Sequence, residues 1–389
     1  MMSPELSEIS LRQTQDFLQL VNATLKEICC RKYTGEELYV EAIKKVLGNK
    51  ERRGPDSVFL VFRIPGNAAT RGRVFFQNSA GLIEGSEMIT VDQAATFAIN
   101  LSREDVIYSN WCDTCESIES YQENFHPAVK ATLTTKIRNF VCNRISGDPP
   151  GAIVAFNYPD EATSYDAEVL KSLSVVIGSL VTLSTAVKET DRAFIYTIEA
   201  LARSCEAADE ETGNHIIRVN RYSEALAKAL GLADQFVESI AYSAQMHDVG
   251  KVHIPSSIIR KEGPLDDQEM AIMKQHPEFG ARIIGTAPRL AMSREIALSH
   301  HENWDGSGYP FSLKGEEIPL SGRVVKVADV YDALRSKRSY KPALSHEQTL
   351  EIFRGGDSRV RPSRHFDPAV LQAFFSIEKS MAGIYAELG

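Results

Sequence analysis

Apolar residues recur at helical spacing from residue 165 to about residue 201: Val169, Leu173, Val176, Ile177, Leu180, Val187, Phe194, Ile198 and Leu201. A period of three to four places these side chains in one stripe along a rod. No other feature constrains the fold as strongly, because a rod in mid-sequence must join two bodies. The length of 389 residues agrees, since single cores rarely grow beyond about 250 residues. The stripe can be buried against a copy of itself, giving a parallel homodimer, or against a flanking domain of the same chain, and both options stay open.

The two sides of the rod read differently. The first is mixed α/β: helical spacing covers 17–29 and 37–46, and strand candidates lie at 57–64, 73–77 and 151–157. The second is helical almost throughout, with helices predicted at 212–230, 234–247, 266–284, 293–301, 324–334 and 345–354 and Gly or Pro between them. Of nine histidines, only His126 precedes residue 200, and the other eight fall between His215 and His365. The chemistry is therefore expected in the second half.

The hydrophobic share of 43% and charged share of 24% are those of folded domains. A net charge of -9 argues against a nucleic-acid polymer as partner, because binding a polyanion needs a basic surface. The first residues carry no basic and apolar leader pattern, and the longest uncharged run, 172–187, has 16 residues, short of the roughly 20 a membrane span needs. A cytoplasmic protein without a membrane segment is expected. The six cysteines are expected as reduced thiols. Cys112 and Cys115 have C-x-x-C spacing, but no second pair completes a zinc site.

The strongest local signal is His247-Asp248, followed by Gly250 and Lys251, at the end of an apolar helix. Imidazole and carboxylate together suit iron, manganese or zinc. Upstream, Glu211 and His215 are four residues apart and share one helix face. Downstream come His276, the pair His300-His301, and Asp329, which is flanked by Val324, Val325, Val327 and Val330. A carboxylate in such a helix is costly to bury unless it meets a cation. Any one of these histidines alone would read as a surface residue. Five imidazoles and two or three carboxylates on successive helices point to a polynuclear metal centre.

The motifs resemble those of the HD-GYP family of HD-superfamily phosphodiesterases. His247-Asp248-Val249-Gly250-Lys251 stands for H-D-x-G-K, and residues 300–310, from His300-His301-Glu302 through Gly308-Tyr309-Pro310, stand for H-H-E-x-W-D-G-x-G-Y-P. Ala328-Asp329-Val330-Tyr331-Asp332-Ala333-Leu334 and His365-Phe366-Asp367-Pro368 match as well, so the resemblance covers about 211–375. It implies an all-α HD-type bundle at 211–380 that hydrolyses cyclic di-GMP to pGpG, with further cleavage to GMP left open.

Carried over, the resemblance implies that His215, His247, Asp248 and Asp329 hold one metal and that His276, His300 and His301 hold a second, with Asp248 bridging. Glu211 matches a position that supports a third metal in some members. The implied cofactors are two or three divalent ions, iron or manganese, with a metal-bridging hydroxide as nucleophile. Lys251 is implied to steady the phosphate or leaving group, with Asp248 the other catalytic residue. Arg338 and Lys341 map to the substrate-phosphate contacts, within a basic segment that also holds Arg335 and Lys337, and Tyr309 is a further candidate contact.

The first half, at about 18–184, resembles a GAF sensor module in the order of its elements, and residues 185–210 are expected to form a connector helix. Such a module implies small-molecule sensing or dimerisation, and signalling proteins are conceivable partners. Departures from the family pattern are Arg335 where Thr is common, Ser339 where Pro is common, His253 after the H-D-x-G-K stretch, and a long 355–364 link. Two functions stay open beside the enzyme: a non-catalytic cyclic dinucleotide receptor, and a phosphodiesterase for another cyclic dinucleotide.

Overall fold

The fold is described from a computed structural model over residues 36–48, 54–66, 69–79, 81–92, 106–133, 135–206, 214–336 and 343–388. The predicted helix at 17–29 lies outside the described residues, as do Glu211, Lys337, Arg338, Ser339 and Lys341. The chain divides into two compact units, Met1–Thr190 and Asp191–Gly389.

The first unit is an antiparallel sheet with helix α1 (Glu36–Leu47) and the part of helix α2 (Ser164–Glu206) up to Thr190. Its strands are β1 (Ser57–Arg63), β2 (Thr70–Asn78), β3 (Gly81–Glu84), β4 (Ile89–Val91), β5 (Val106–Asn110), β6 (Asn139–Ile145) and β7 (Gly151–Phe156). They run in the order β3-β2-β1-β7-β6-β5, with β4 also on β2. Alternation sorts the strand residues. Val58 and Leu60 of β1, with Ile153 and Ala155 of β7, join a core with Ile43 of α1 and Leu170, Leu173 and Ile177 of α2. Phe59, Val61, Val154 and Phe156 face the other way, onto Tyr121, Phe125 and Phe140. Burial of both faces explains why β1 and β7 read as continuous apolar runs.

Strands β3 to β6 were not expected from sequence. In β6 the buried Asn139 and Asn143 disguise the pattern; their amides are satisfied by the Tyr158 carbonyl at 3.2 Å and Ser174 Oγ at 2.7 Å. The rod is a single helix, α2. By length and composition it would pass for a membrane span, yet Leu170, Leu173 and Ile177 are buried in the sheet core. Val175, Leu183, Val187, Tyr196 and Leu201 are exposed along it. Cys112 and Cys115 are free thiols.

The second unit is helical: α3 (Asn214–Ala229), α4 (Asp234–Ser243), α5 (His276–Ile284), α6 (Ala291–Ser299), α7 (Leu320–Arg335), α8 (His346–Gly355), α9 (Pro368–Ser376) and α10 (Glu378–Leu388), with shorter turns between them. Its core gathers Val219, Tyr222 and Leu226 of α3, Val324, Val327 and Tyr331 of α7, and Phe353, Phe366 and Phe374.

Two predicted helices are corrected. The one expected at 234–247 ends at Ser243 and passes into a 3-10 turn, Ala244–Met246. The one expected at 266–284 is two helices, Asp267–Met273 and α5. Pro277 explains the second break, because it has no N–H to give the Met273 carbonyl and its ring crowds that oxygen.

Candidate metal centre

Three of the histidines use helix ends to fix their own orientation. A carbonyl oxygen has two lone pairs and can accept a ring N–H beside a backbone donor. His247 directs Nδ1 to the Ala244 carbonyl at 2.8 Å, and His300 directs Nδ1 to the Ile296 carbonyl at 3.0 Å. His276 directs Nδ1 to the Met273 carbonyl at 2.8 Å, the oxygen that Pro277 leaves without its helical donor. An Nδ1–H given to a carbonyl leaves the lone pair on Nε2, the arrangement a metal-facing imidazole needs.

Those Nε2 atoms converge on Asp248. Its Oδ1 lies 3.2 Å from His276 Nε2 and 3.5 Å from His300 Nε2, and its Oδ2 lies 3.3 Å from His247 Nε2. His276 and His300 bring their Nε2 atoms within 3.5 Å of each other. Lone pairs gathered so closely repel unless a cation stands among them. Nε2 of His247 and Oδ1 of Asp248 are buried without a hydrogen-bond partner among the described residues. Two groups of potential ligands result: Asp248, His276, His300 and His301; and His215, His247 and Asp329. In the second, Asp329 Oδ1 lies 3.7 Å from His215 Nε2 and 3.9 Å from His247 Nε2. Neutral imidazoles and carboxylates at this spacing fit divalent metal ions.

Gly250 permits the approach of these elements. A β-carbon there would stand 1.9 Å from the His276 carbonyl oxygen and 2.4 Å from the Gly280 nitrogen. The 3-10 turn Val249–His253 therefore lies directly on the start of α5, which carries Asp248 to His276.

Burial holds the His300 imidazole below its usual range, and His301 well below it, so both stay neutral. Burial also disfavours a charged His247, but Asp248 and Asp329 outweigh it and raise its pKa. Asp248 is pushed up by burial and pulled further down by Lys251 and His247, ending well below the carboxylate range. Lys251 Nζ lies 2.8 Å from Asp248 Oδ2.

Tyr309 stacks on His301 with ring centroids 4.6 Å apart. Its loop is tied by Glu302, a buried carboxylate that accepts from the backbone N–H of Phe311 at 2.8 Å and of Leu313 at 3.1 Å. His253 is exposed and lies against Phe279, its ring 5.3 Å away. The 355–364 link closes on itself, with Asp357 Oδ1 accepting from the N–H of Arg359 and Val360, and returns Arg364 to Asp305 at 2.6 Å.

Four residues of the site had no role from sequence. Asp332 is fully buried, accepts from Arg218 Nε at 2.6 Å and Nη2 at 2.9 Å, and faces His215 Nδ1 at 2.8 Å. Its sequence signal was the i, i+3 spacing from Asp329, matched by that of Arg218 from His215. Glu302 stood inside a recognised motif. Lys326, three residues before Asp329, is held near the charges of Asp329, Glu302 and Asp305, while burial lowers its pKa to about 8.

Residues 196–370 match a family model described as an HD domain. A cyclic di-GMP phosphodiesterase of Vibrio cholerae is 45% identical over 54% of this chain and 44% of its own length. A 3'3'-cGAMP-specific phosphodiesterase 2 of the same organism is 35% identical over 71% of this chain and 55% of its own. A cyclic di-GMP phosphodiesterase of Thermotoga maritima is 42% identical over 48% of this chain and 50% of its own. The chain thus spans about half the length of these curated relatives. Over residues 196–370 this chain is similar to an HD domain, and its two ligand groups meet within that region.

Proposed function

We propose that this chain is a metal-dependent phosphodiesterase that opens cyclic di-GMP to pGpG, with further cleavage to GMP left open. The observation that carries the reading is Asp248, whose two oxygens face histidines of both ligand groups. His215, His247, Asp248 and Asp329 would hold one divalent ion and His276, His300 and His301, with Asp248, a second; iron and manganese suit these ligands. Bound ions of this kind supply Lewis acidity toward phosphoryl oxygens and lower the pKa of a coordinated water. Lys251 adds a positive charge beside Asp248, and its proposed role is to steady a phosphate oxygen or the leaving group. Tyr309 offers a flat ring beside His301 for a base or sugar. Arg338 and Lys341 remain the proposed phosphate contacts, Arg through a two-pronged grip and Lys as a point charge. Glu211 is the proposed added ligand for a third ion.

The relative specific for 3'3'-cGAMP favours a second substrate reading, cyclic GMP-AMP. For the first half, the antiparallel sheet with α1 and α2 on one face supports a GAF-like sensor, with α2 as connector. Exposed Val175, Leu183, Val187 and Leu201 support a homodimer along that helix.

The test is incubation of the full chain with cyclic di-GMP, or separately 3'3'-cGAMP, in the presence of ferrous or manganous ion, with the nucleotides separated by chromatography. Linear dinucleotide is expected from the wild type and none from Asp248→Asn. Both cyclic dinucleotides recovered intact would overturn the enzyme reading and leave a receptor.

A further inference from the structure

The first unit contains a cavity of about 330 Å³ whose walls come from β1, β2, Tyr39 of α1 and the 181–188 stretch of α2. That volume is at the small end of the roughly 300–1,000 Å³ typical of small-molecule pockets. Its apolar walls include Leu60, Phe62 and Val181, and the Tyr39 and Phe62 rings stand 6.1 Å apart at 56°. Its polar lining is cationic: Arg63, Arg71, Arg73 and Lys188, with no carboxylate among the lining residues. In a chain of net charge -9 this is a local reversal of sign.

The four cations are not equivalent. Arg73 is neutralised by Glu84 at 2.8 Å. Arg63, Arg71 and Lys188 form no ion pair among the described residues, and Arg63 Nε is buried without a hydrogen-bond partner there. A buried guanidinium donor without an acceptor is costly, and an anion beside it would relieve that cost. On the opposite sheet face Tyr121, Phe125 and Phe140 close on one another edge to face.

We propose that this cavity binds a small aromatic carboxylate, with its ring between the Tyr39–Phe62 wall and Val181 and its carboxylate toward Arg63 and Arg71. Ser184 and Thr185 add hydroxyls on the α2 side. The ligand would brace β1 and β2 against the helix that continues to Glu206. The assignment does not depend on the reaction proposed for the second unit.

The test is calorimetric titration of the full chain with 2-naphthoate, alongside the nearly isosteric neutral 2-naphthamide. The acid is expected to saturate a single site per chain, with the amide about tenfold or more weaker, since it forfeits the charge-assisted bonds. Arg63→Gln and Arg71→Gln are each expected to weaken 2-naphthoate by about tenfold. Lys188 is exposed, so Lys188→Gln is expected to weaken the acid without moving the melting temperature, which separates lost charge from lost fold. Equal affinity for acid and amide, no saturable binding of the acid, or an affinity unmoved by all three substitutions would overturn the proposal.

Discussion

His215 turns its Nδ1 edge to Asp332, with 2.8 Å between Nδ1 and Oδ2. A carboxylate outside both ligand groups therefore sets the tautomer of a histidine that faces one of them. The same carboxylate is gripped by Arg218 through two nitrogens. The three groups form one buried unit linking α3 to α7.

Removing the charge from that unit should cost both stability and metal. Asp332→Asn leaves the buried Arg218 guanidinium without its counter-charge, a loss of about 3–5 kcal/mol by comparison with other broken buried pairs. It also releases the orientation of His215, so affinity for the ion beside His215 should fall by about 10–100-fold. Urea unfolding and metal titration of the variant measure the two effects.

The acid limb of stability follows from the same residue. Burial opposes its ionisation, but Arg218 and His215 outweigh it and hold the Asp332 pKa below its ordinary 3.8. A depressed folded-state pKa means stability present above about pH 4 and lost as pH falls through the lower folded value. Unfolding free energy measured downward from pH 5 should decline in the wild type and decline less steeply in Asp332→Asn.

Lys326 predicts the reverse sign. Its folded pKa of about 8, against 10.5 ordinarily, means the native state carries a disfavoured charge at neutral pH. Between those values the unfolded chain binds more protons, so stability should rise with pH across that window. Lys326→Met should stabilise the metal-free protein at pH 7 by on the order of 2–3 kcal/mol and by much less at pH 10. Thermal melts at the two pH values test it.

Gly250→Ala should be damaging out of proportion to one methyl group. Its β-carbon would meet the His276 carbonyl at 1.9 Å, so the 3-10 turn must move off α5 at a cost of about 1–3 kcal/mol. Asp248 would retreat from His276 with it. Calorimetric unfolding together with metal analysis should show lower stability and reduced occupancy of the group containing His276.

The candidate ligands could be gathered from sequence because imidazoles and carboxylates recur on successive helices, whereas their sorting into two groups came from the family resemblance. Asp329 announced itself as a carboxylate among valines, and His247-Asp248 stood at the end of an apolar run. What orients these groups was not legible. The Asp332–Arg218 pair spans 114 positions, and the carbonyl that receives His276 exists because Pro277 breaks a helix that periodicity alone would continue. In the first half β1, β2 and β7 could be read, whereas β6 hid behind asparagines whose partners lie 19 and 31 positions along the chain. The segment 337–342, which holds the proposed phosphate contacts Arg338 and Lys341, lies outside the described residues.

The central claim is that Asp248 joins two metal pockets into one centre. Plasma emission spectrometry of the anaerobically purified full chain, reconstituted with ferrous or manganous ion, tests it most directly. At least two ions per chain are expected for the wild type, about one for His215→Ala, and a loss from both pockets for Asp248→Asn. A single ion in the wild type, or full occupancy in Asp248→Asn, would contradict it.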